Sequence, residues 1–151
     1  NPQVDYMYYL KGLASFNDDV GFLSKIMTQD MASRDAKGAR ESYDAFRDLV
    51  TRFPESRYAE DARARMRHLI NALAQAELNV ANFYFERKAY IAAIQRSQIV
   101  IRDFQTSPVA EEALIVLSRS YQALELPDLQ SDAERVLALN FPDSRYLRSR
   151  R

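Results

Sequence analysis

A single histidine, His68, and no cysteine leave this chain little with which to hold a metal ion or build a nucleophile. His68 sits between Arg67 and Leu69 in a helical pattern, and no second residue stands at a ligand spacing from it. It reads as a helix-surface residue, and no metal is expected. Carboxylates occur in pairs, Glu60–Asp61 and Glu111–Glu112. Each pair follows a turn signal and falls in the first turn of a helix, where the dipole favours negative charge. The serines lack the context of a nucleophile elbow, and no glycine-rich phosphate loop is present. No catalytic residue and no cofactor are expected.

What remains is chemistry of recognition. The stretch DMASRD from Asp30 has a local reading, in which Asp30 pairs with Arg34 and Asp35 caps the helix that follows. It also has a functional one, in which a long loop presents Asp30, Arg34 and Asp35 to a partner. Arg87 is placed to bond carbonyls at a helix end. The C-terminal SRYLRSRR carries Arg145, Arg148, Arg150 and Arg151, either as a frayed helix or as a contact for anionic headgroups or a neighbouring subunit. Lys+Arg and Asp+Glu are both 21, so the balanced chain has no general electrostatic footprint for nucleic acid.

The elements that position these groups are helical. Only 3 Gly and 5 Pro in 151 residues argue against an all-β chain, and 47% apolar residues argue for a folded one. No apolar run is long enough to span a membrane. The opening NPQVDY, without an initiator Met, reads as the middle of something longer, so a targeting segment would lie upstream. Tyr6, Tyr9, Leu10, Leu13 and Phe16 follow the spacing of one buried helical face, with Asp5 as cap. Tyr8 points off that stripe and is expected to pack between repeats. Gly12, inside the helix, implies close approach of a neighbour. A weakly patterned connection from Asn17 to Asp35 follows, in which Phe22, Leu23, Ile26 and Met27 form a short helix or anchor a loop. The next helix is expected from Ala36, with Ser33 or Asp35 as cap, burying Ala39, Tyr43, Phe46, Val50 and Phe53.

A phrase then repeats: FPESRYAEDA from Phe53, FQTSPVAEEA from Phe104 and FPDSRY from Phe141. In each, Phe closes a helix, Pro stops it and Ser caps the next; Pro108 would stand at a helix start. The phrase is a hinge between helical hairpins. Phe104 to Phe141 is 37 residues, near a helix–turn–helix repeat of about 34. Phe53 to Phe104 is 51 residues, and Tyr58 to Lys88 has neither Gly nor Pro. One helix of about thirty residues is therefore expected, roughly 45 Å long, with Tyr58, Ala62, Met66, Leu69, Leu73, Ala76, Val80 and Tyr84 as its apolar positions; a kinked pair of helices is the alternative. Ala93, Ser97 and Val100 line the next helix; Ala110, Leu114, Leu117, Tyr121 and Leu124 the one after; Leu129, Ala133, Val136 and Leu137 the last. The expected fold is all-α, a solenoid of stacked antiparallel helix pairs in one domain of about three repeats, 1–53, 54–104 and 105–151.

Small and aromatic residues fall as in a tetratricopeptide (TPR) unit: VANFYFERKAYIAAI places Ala81 and Ala93 at tight helix contacts with Tyr84 and Tyr90 between. Read together and in order, YYLKGL, DMASRD, FPESRYAEDARARM and RKAYIAAIQR resemble the BamD (ComL) family, TPR lipoproteins of the outer-membrane β-barrel assembly machinery. The resemblance covers essentially the whole chain and corresponds to the last three of that family's five repeats. Lys88 stands where a glycine is common, and Gln105 where the other two phrases have Pro.

The resemblance implies a non-catalytic scaffold on the periplasmic face of a Gram-negative outer membrane, held there only by a lipid anchor absent from this stretch. It implies docking to the periplasmic POTRA region of BamA and to the lipoproteins BamC and BamE. It places Arg96 against the POTRA domain, with Arg87 as a weaker companion. By itself the chain is expected to be a monomer. The alternative is a generic TPR adaptor that takes an extended peptide in its concave groove.

Overall fold

The computed structural model describes residues 3–16 and 29–149, with side chains for 3–16 and 36–149. Among the described residues every regular element is helical: α1 (Val4–Ala14), α2 (Gln29–Arg52), α3 (Ala59–Glu86), α4 (Tyr90–Asp103), α5 (Ala110–Ala123), α6 (Pro127–Asn140) and α7 (Arg145–Arg148). The expectation for Phe22, Leu23, Ile26 and Met27 lies outside the described residues. The fold is all-α and TPR-like. The uninterrupted run after Tyr58 forms one helix of 28 residues, α3, as the absence of a breaker predicts. The chain divides into two compact units, Asn1–Ala76 and Glu77–Arg151, with the division inside α3.

In the first unit α1 packs on α2, and the contact is set by Gly12. A Cβ on Gly12 would stand 2.5 Å from Phe46 Cε1, so only a glycine lets the Phe46 ring lie against the α1 backbone. Buried Ser42 donates a 2.8 Å hydrogen bond to the Gly12 carbonyl at the same place. This contact corrects the expected face of α1. Tyr6 is 42% and Leu10 44% exposed, whereas Tyr8, Tyr9 and Leu13 flank Gly12 on the packed side. Tyr8 is half-buried, but within the first expected repeat rather than between repeats: its ring lies 6.2 Å from that of Phe53, with Arg52 above it. Asp5 is not the cap of α1 but lies in its first turn.

The start of α2 is a second correction. It runs from Gln29 instead of Ala36, so the backbone of DMASRD is helical and Asp35 is not its cap. Nothing between Gln29 and Gly38 breaks a helix, and Asp30 falls in the first turn, where the dipole favours a carboxylate. The core of α2 is Ala39, Ser42, Ala45, Phe46 and Leu49, with Tyr43 and Val50 half-buried beside it. The expected stripe therefore missed three of its positions.

In the second unit α4 packs on α5 and α5 on α6. Ala81 and Ala93 are fully buried, as are Ser97 and Val100. Leu114, Leu117 and Tyr121 of α5 are buried too, as expected. In α6 only Ala133 and Leu137 are buried; Leu129 and Val136, expected inward, are exposed. Ala133 and Leu137 are one helical turn apart and make a narrow stripe towards α5, leaving the flanking positions uncovered.

The repeated phrase builds the same turn three times. Ser56, Ser107 and Ser144 each donate a backbone N–H to the carbonyl of the phrase's own Phe, at 3.0, 2.9 and 3.0 Å. Gln105 therefore supports the turn that Pro54 and Pro142 make elsewhere. Ser56 and Ser107 accept the Tyr58 and Val109 N–H groups on Oγ, at 3.3 and 3.5 Å, just ahead of α3 and α5 rather than at the residue before the helix. The residue before α5 is Val109, and Ser144, which precedes α7, makes no side-chain cap bond. Pro108 likewise lies before α5 rather than at its first position.

The hairpin turns also match each other. Lys88 N–H bonds Phe85 O and Ala89 N–H bonds Tyr84 O; Glu125 and Leu126 repeat this with Gln122 and Tyr121. This is the Schellman end, whose pivot residue is left-handed. Lys88 and Glu125 hold that position with φ of 61° and 58°, a conformation that costs a non-glycine residue about 1 kcal/mol. A glycine would hold either position without that strain.

Candidate docking surface

Arg96, on α4, is half-buried. Its Nη1 donates to Glu77 Oε2 of α3 at 3.1 Å. The bond is monodentate, so the guanidinium keeps further N–H donors beyond the one that Glu77 takes. A pair with this much solvent access adds little to stability; its effect is to hold the head of Arg96 in a defined place. Arg87 does what a helix-end arginine was expected to do, with Nη1 3.4 Å from Phe83 O. It also lies 3.5 Å from the centre of the Phe83 ring, a cation–π contact.

Arg96 and Arg87 belong to the second unit. Asp30, Arg34 and Asp35 belong to the first, on the opening turns of α2, and their side chains are outside those described. His68 is exposed, its ring 5.9 Å from that of Phe16. No group of metal-ligating side chains occurs among the described residues. No described helix is long and apolar enough to cross a membrane.

Sequence reasoning missed two features. The first is an open slot of about 430 Å³ in the second unit, walled by Ile101, Leu114, Val136 and Phe141 and rimmed by the amides of Gln105 and Asn140. Its signal was indirect: Val136 is an apolar residue beside, not on, the buried stripe of its helix.

The second is a polar knot in the first unit. Tyr9 OH and Arg65 Nε both donate to Asp61 Oδ2, each at 2.7 Å, and the Tyr9 ring stacks on Tyr58 at 4.7 Å. Ser56 Oγ donates to Asp5 Oδ2 at 2.6 Å. These bonds favour the charged carboxylates: the Tyr9 hydroxyl, then Arg65, lowers the Asp61 pKa, and the Ser56 hydroxyl lowers that of Asp5. The bond to Asp61 raises the Tyr9 pKa.

The signs give a pH window. The two lowered carboxylates contribute stability that is present above the usual carboxylate range and lost as pH falls through their folded values. Tyr9 contributes stability present below its usual range and lost as pH rises through its raised value. Urea unfolding followed by circular dichroism should show the midpoint falling below about pH 4. Asp61→Asn should flatten that fall, and an equal acid fall in wild type and variant would refute the assignment.

Matched hairpin turns and recurring hinge phrases define an all-α helical-repeat protein of the TPR-like kind. The chain belongs to the outer membrane lipoprotein family YfiO, whose family model matches residues 1–137. It is 48% identical to the outer membrane protein assembly factor BamD of Neisseria meningitidis serogroup A, over 97% of this chain and 55% of that protein. It is 36% identical to the BamD of Xylella fastidiosa, over 98% of this chain and 50% of that protein. With the BamD of Vibrio cholerae it shares 33% identity over 91% of this chain and 57% of that protein. The chain thus spans about half the length of the curated relatives it matches.

Proposed function

We propose that this chain is part of a scaffold subunit for outer-membrane protein assembly, docking the periplasmic POTRA region of BamA and the lipoproteins BamC and BamE. It works at the periplasmic face of the outer membrane, with a lipid group on the full-length protein as the anchor. The work is binding and positioning, with no chemistry on a substrate, in keeping with relatives that carry the name assembly factor. The three matching hinges favour reading the chain as about three repeats, 1–53, 54–104 and 105–151. The observation that carries the docking site is Arg96, a part-exposed guanidinium with donors to spare, steadied by Glu77. Such a group is suited to a partner carboxylate and is a frequent interface anchor. Arg87 supports it, and Asp30, Arg34 and Asp35 offer a second contact on α2.

The test is calorimetric titration of the chain with the BamA periplasmic region. Arg96→Ala is expected to weaken binding by roughly 2 kcal/mol while leaving the helical signal intact. Binding unchanged by the substitution would remove Arg96 from the centre of the surface. Absence of any binding by the folded chain would overturn the docking reading. It would favour a peptide adaptor instead, for which the slot beside Val136 is the specific feature.

A further inference from the structure

The turn between α3 and α4 carries exposed charge beside exposed apolar side chains. Glu86, Arg87 and Lys88 lie at the tip between α3 and α4 with a net charge of +1. All three are exposed, and none is in an ion pair among the described residues. Apolar side chains stand exposed on either side of them. Phe83, which carries the Arg87 guanidinium on its ring, is 47% exposed, and Ile91 in the first turn of α4 is 65% exposed. Large apolar residues at such exposure, set within nine residues around one tight turn, are what an interface core uses. The bond between Arg87 and Phe83 keeps the aromatic and the cation together as a flat platform. Lys88 sits at the pivot, in a conformation a glycine would adopt without strain. Strain alone singles out nothing, because Glu125 holds the same position in the next hairpin. The difference is the charge: Leu126 and Leu129 are exposed beside Glu125 as well, but the turn at Lys88 carries two cations against one carboxylate, Glu86.

We propose that this turn is a docking surface for a protein partner presenting carboxylates next to an apolar side chain. Lys88 supplies the charge, and the Arg87–Phe83 platform and Ile91 supply the apolar contact. Charge complementarity fixes the partner's sign: with two cations against one carboxylate, Glu86, and no ion pair there among the described residues, the turn has a net charge of +1. The inference rests on the docking reading above and adds a place to it, since α4 carries both Ile91 and, five residues on, Arg96.

Replacing Lys88 by glycine separates surface chemistry from folding, because it removes the charge while relieving the backbone. Four variants, Lys88→Gly, Ile91→Ser, Glu125→Gly and Arg96→Ala, would be titrated with the BamA periplasmic region, and their urea midpoints measured. Lys88→Gly and Ile91→Ser should each weaken binding roughly tenfold, with midpoints equal to or above that of wild type for Lys88→Gly and unchanged for Ile91→Ser. The Lys88 effect should shrink as salt is raised. Glu125→Gly, with the same backbone relief, should leave affinity unchanged. If Lys88→Gly and Ile91→Ser bind within about twofold of wild type while Arg96→Ala is weakened, the turn is not part of the surface and the docking reading stands. If the wild type does not bind, both fall.

Discussion

Phe46→Ala is expected to lower the stability of the first unit by about 3–5 kcal/mol, the loss typical of a fully buried aromatic ring. Phe46 has no exposed surface, and its ring is the common neighbour of Tyr9 at 6.0 Å and Phe16 at 6.2 Å. It also fills the space that Gly12 leaves open. Its removal would therefore empty a site bounded by two helices, and α1 is short and cannot collapse into it without losing the Ser42 bond to the Gly12 carbonyl.

The pairing with Gly12 makes the prediction sharper. Gly12→Ala by itself gains up to about 1 kcal/mol of helix propensity. Its Cβ, however, falls 2.5 Å from a ring carbon, and overpacking of this kind costs typically 1–3 kcal/mol. The net effect is a loss. In a Phe46→Ala background the obstruction is gone, and the same Gly12→Ala should stabilise. A reversal of sign across this double-mutant cycle, measured by urea unfolding, would establish the contact. Additive effects would show that the ring does not press on Gly12.

Leu137→Ala carries the second large effect, a loss of about 2–5 kcal/mol in the second unit. Leu137 is fully buried, while Leu139, two residues along the same helix, is 77% exposed. Leu139→Ala should change stability by less than about 0.5 kcal/mol. The pair tests which side of α6 packs on α5 with one residue type, so side-chain chemistry cancels from the comparison. Equal losses at the two positions would mean that α6 is rotated from the orientation described, and that Leu139 has a partner.

How much of this was legible in the sequence differs from element to element. The length of α3 was readable because a helix continues until something stops it, and no Gly or Pro occurs between Tyr58 and Lys88. The inward sides of α4 and α5 were readable for a different reason: Ala93, Ser97 and Val100, and Leu114, Leu117 and Tyr121, recur at three- and four-residue spacings and share a buried face. In α1 the periodicity has several solutions. Tyr6, Met7, Tyr8, Tyr9 and Leu10 put apolar surface all around the helix, and the stripe through Tyr6 and Leu10 satisfies the spacing as well as the true one. The residue that decides is Gly12, which has no side chain for a hydrophobic pattern to register.

The same limit applies to the surface groups. The sequence determined the kind of protein: an all-α repeat chain, punctuated by three hinges whose turns depend only on local backbone bonds. Local signals sufficed because those bonds join residues three to five apart. Tertiary structure alone decided what the charged residues touch. Arg96 meets Glu77 across 19 positions, and Tyr9 meets Asp61 across 52. No spacing along the chain encodes such pairs. Hairpin closure brings the first together, and the packing of α1 against the hinge after α2 brings the second.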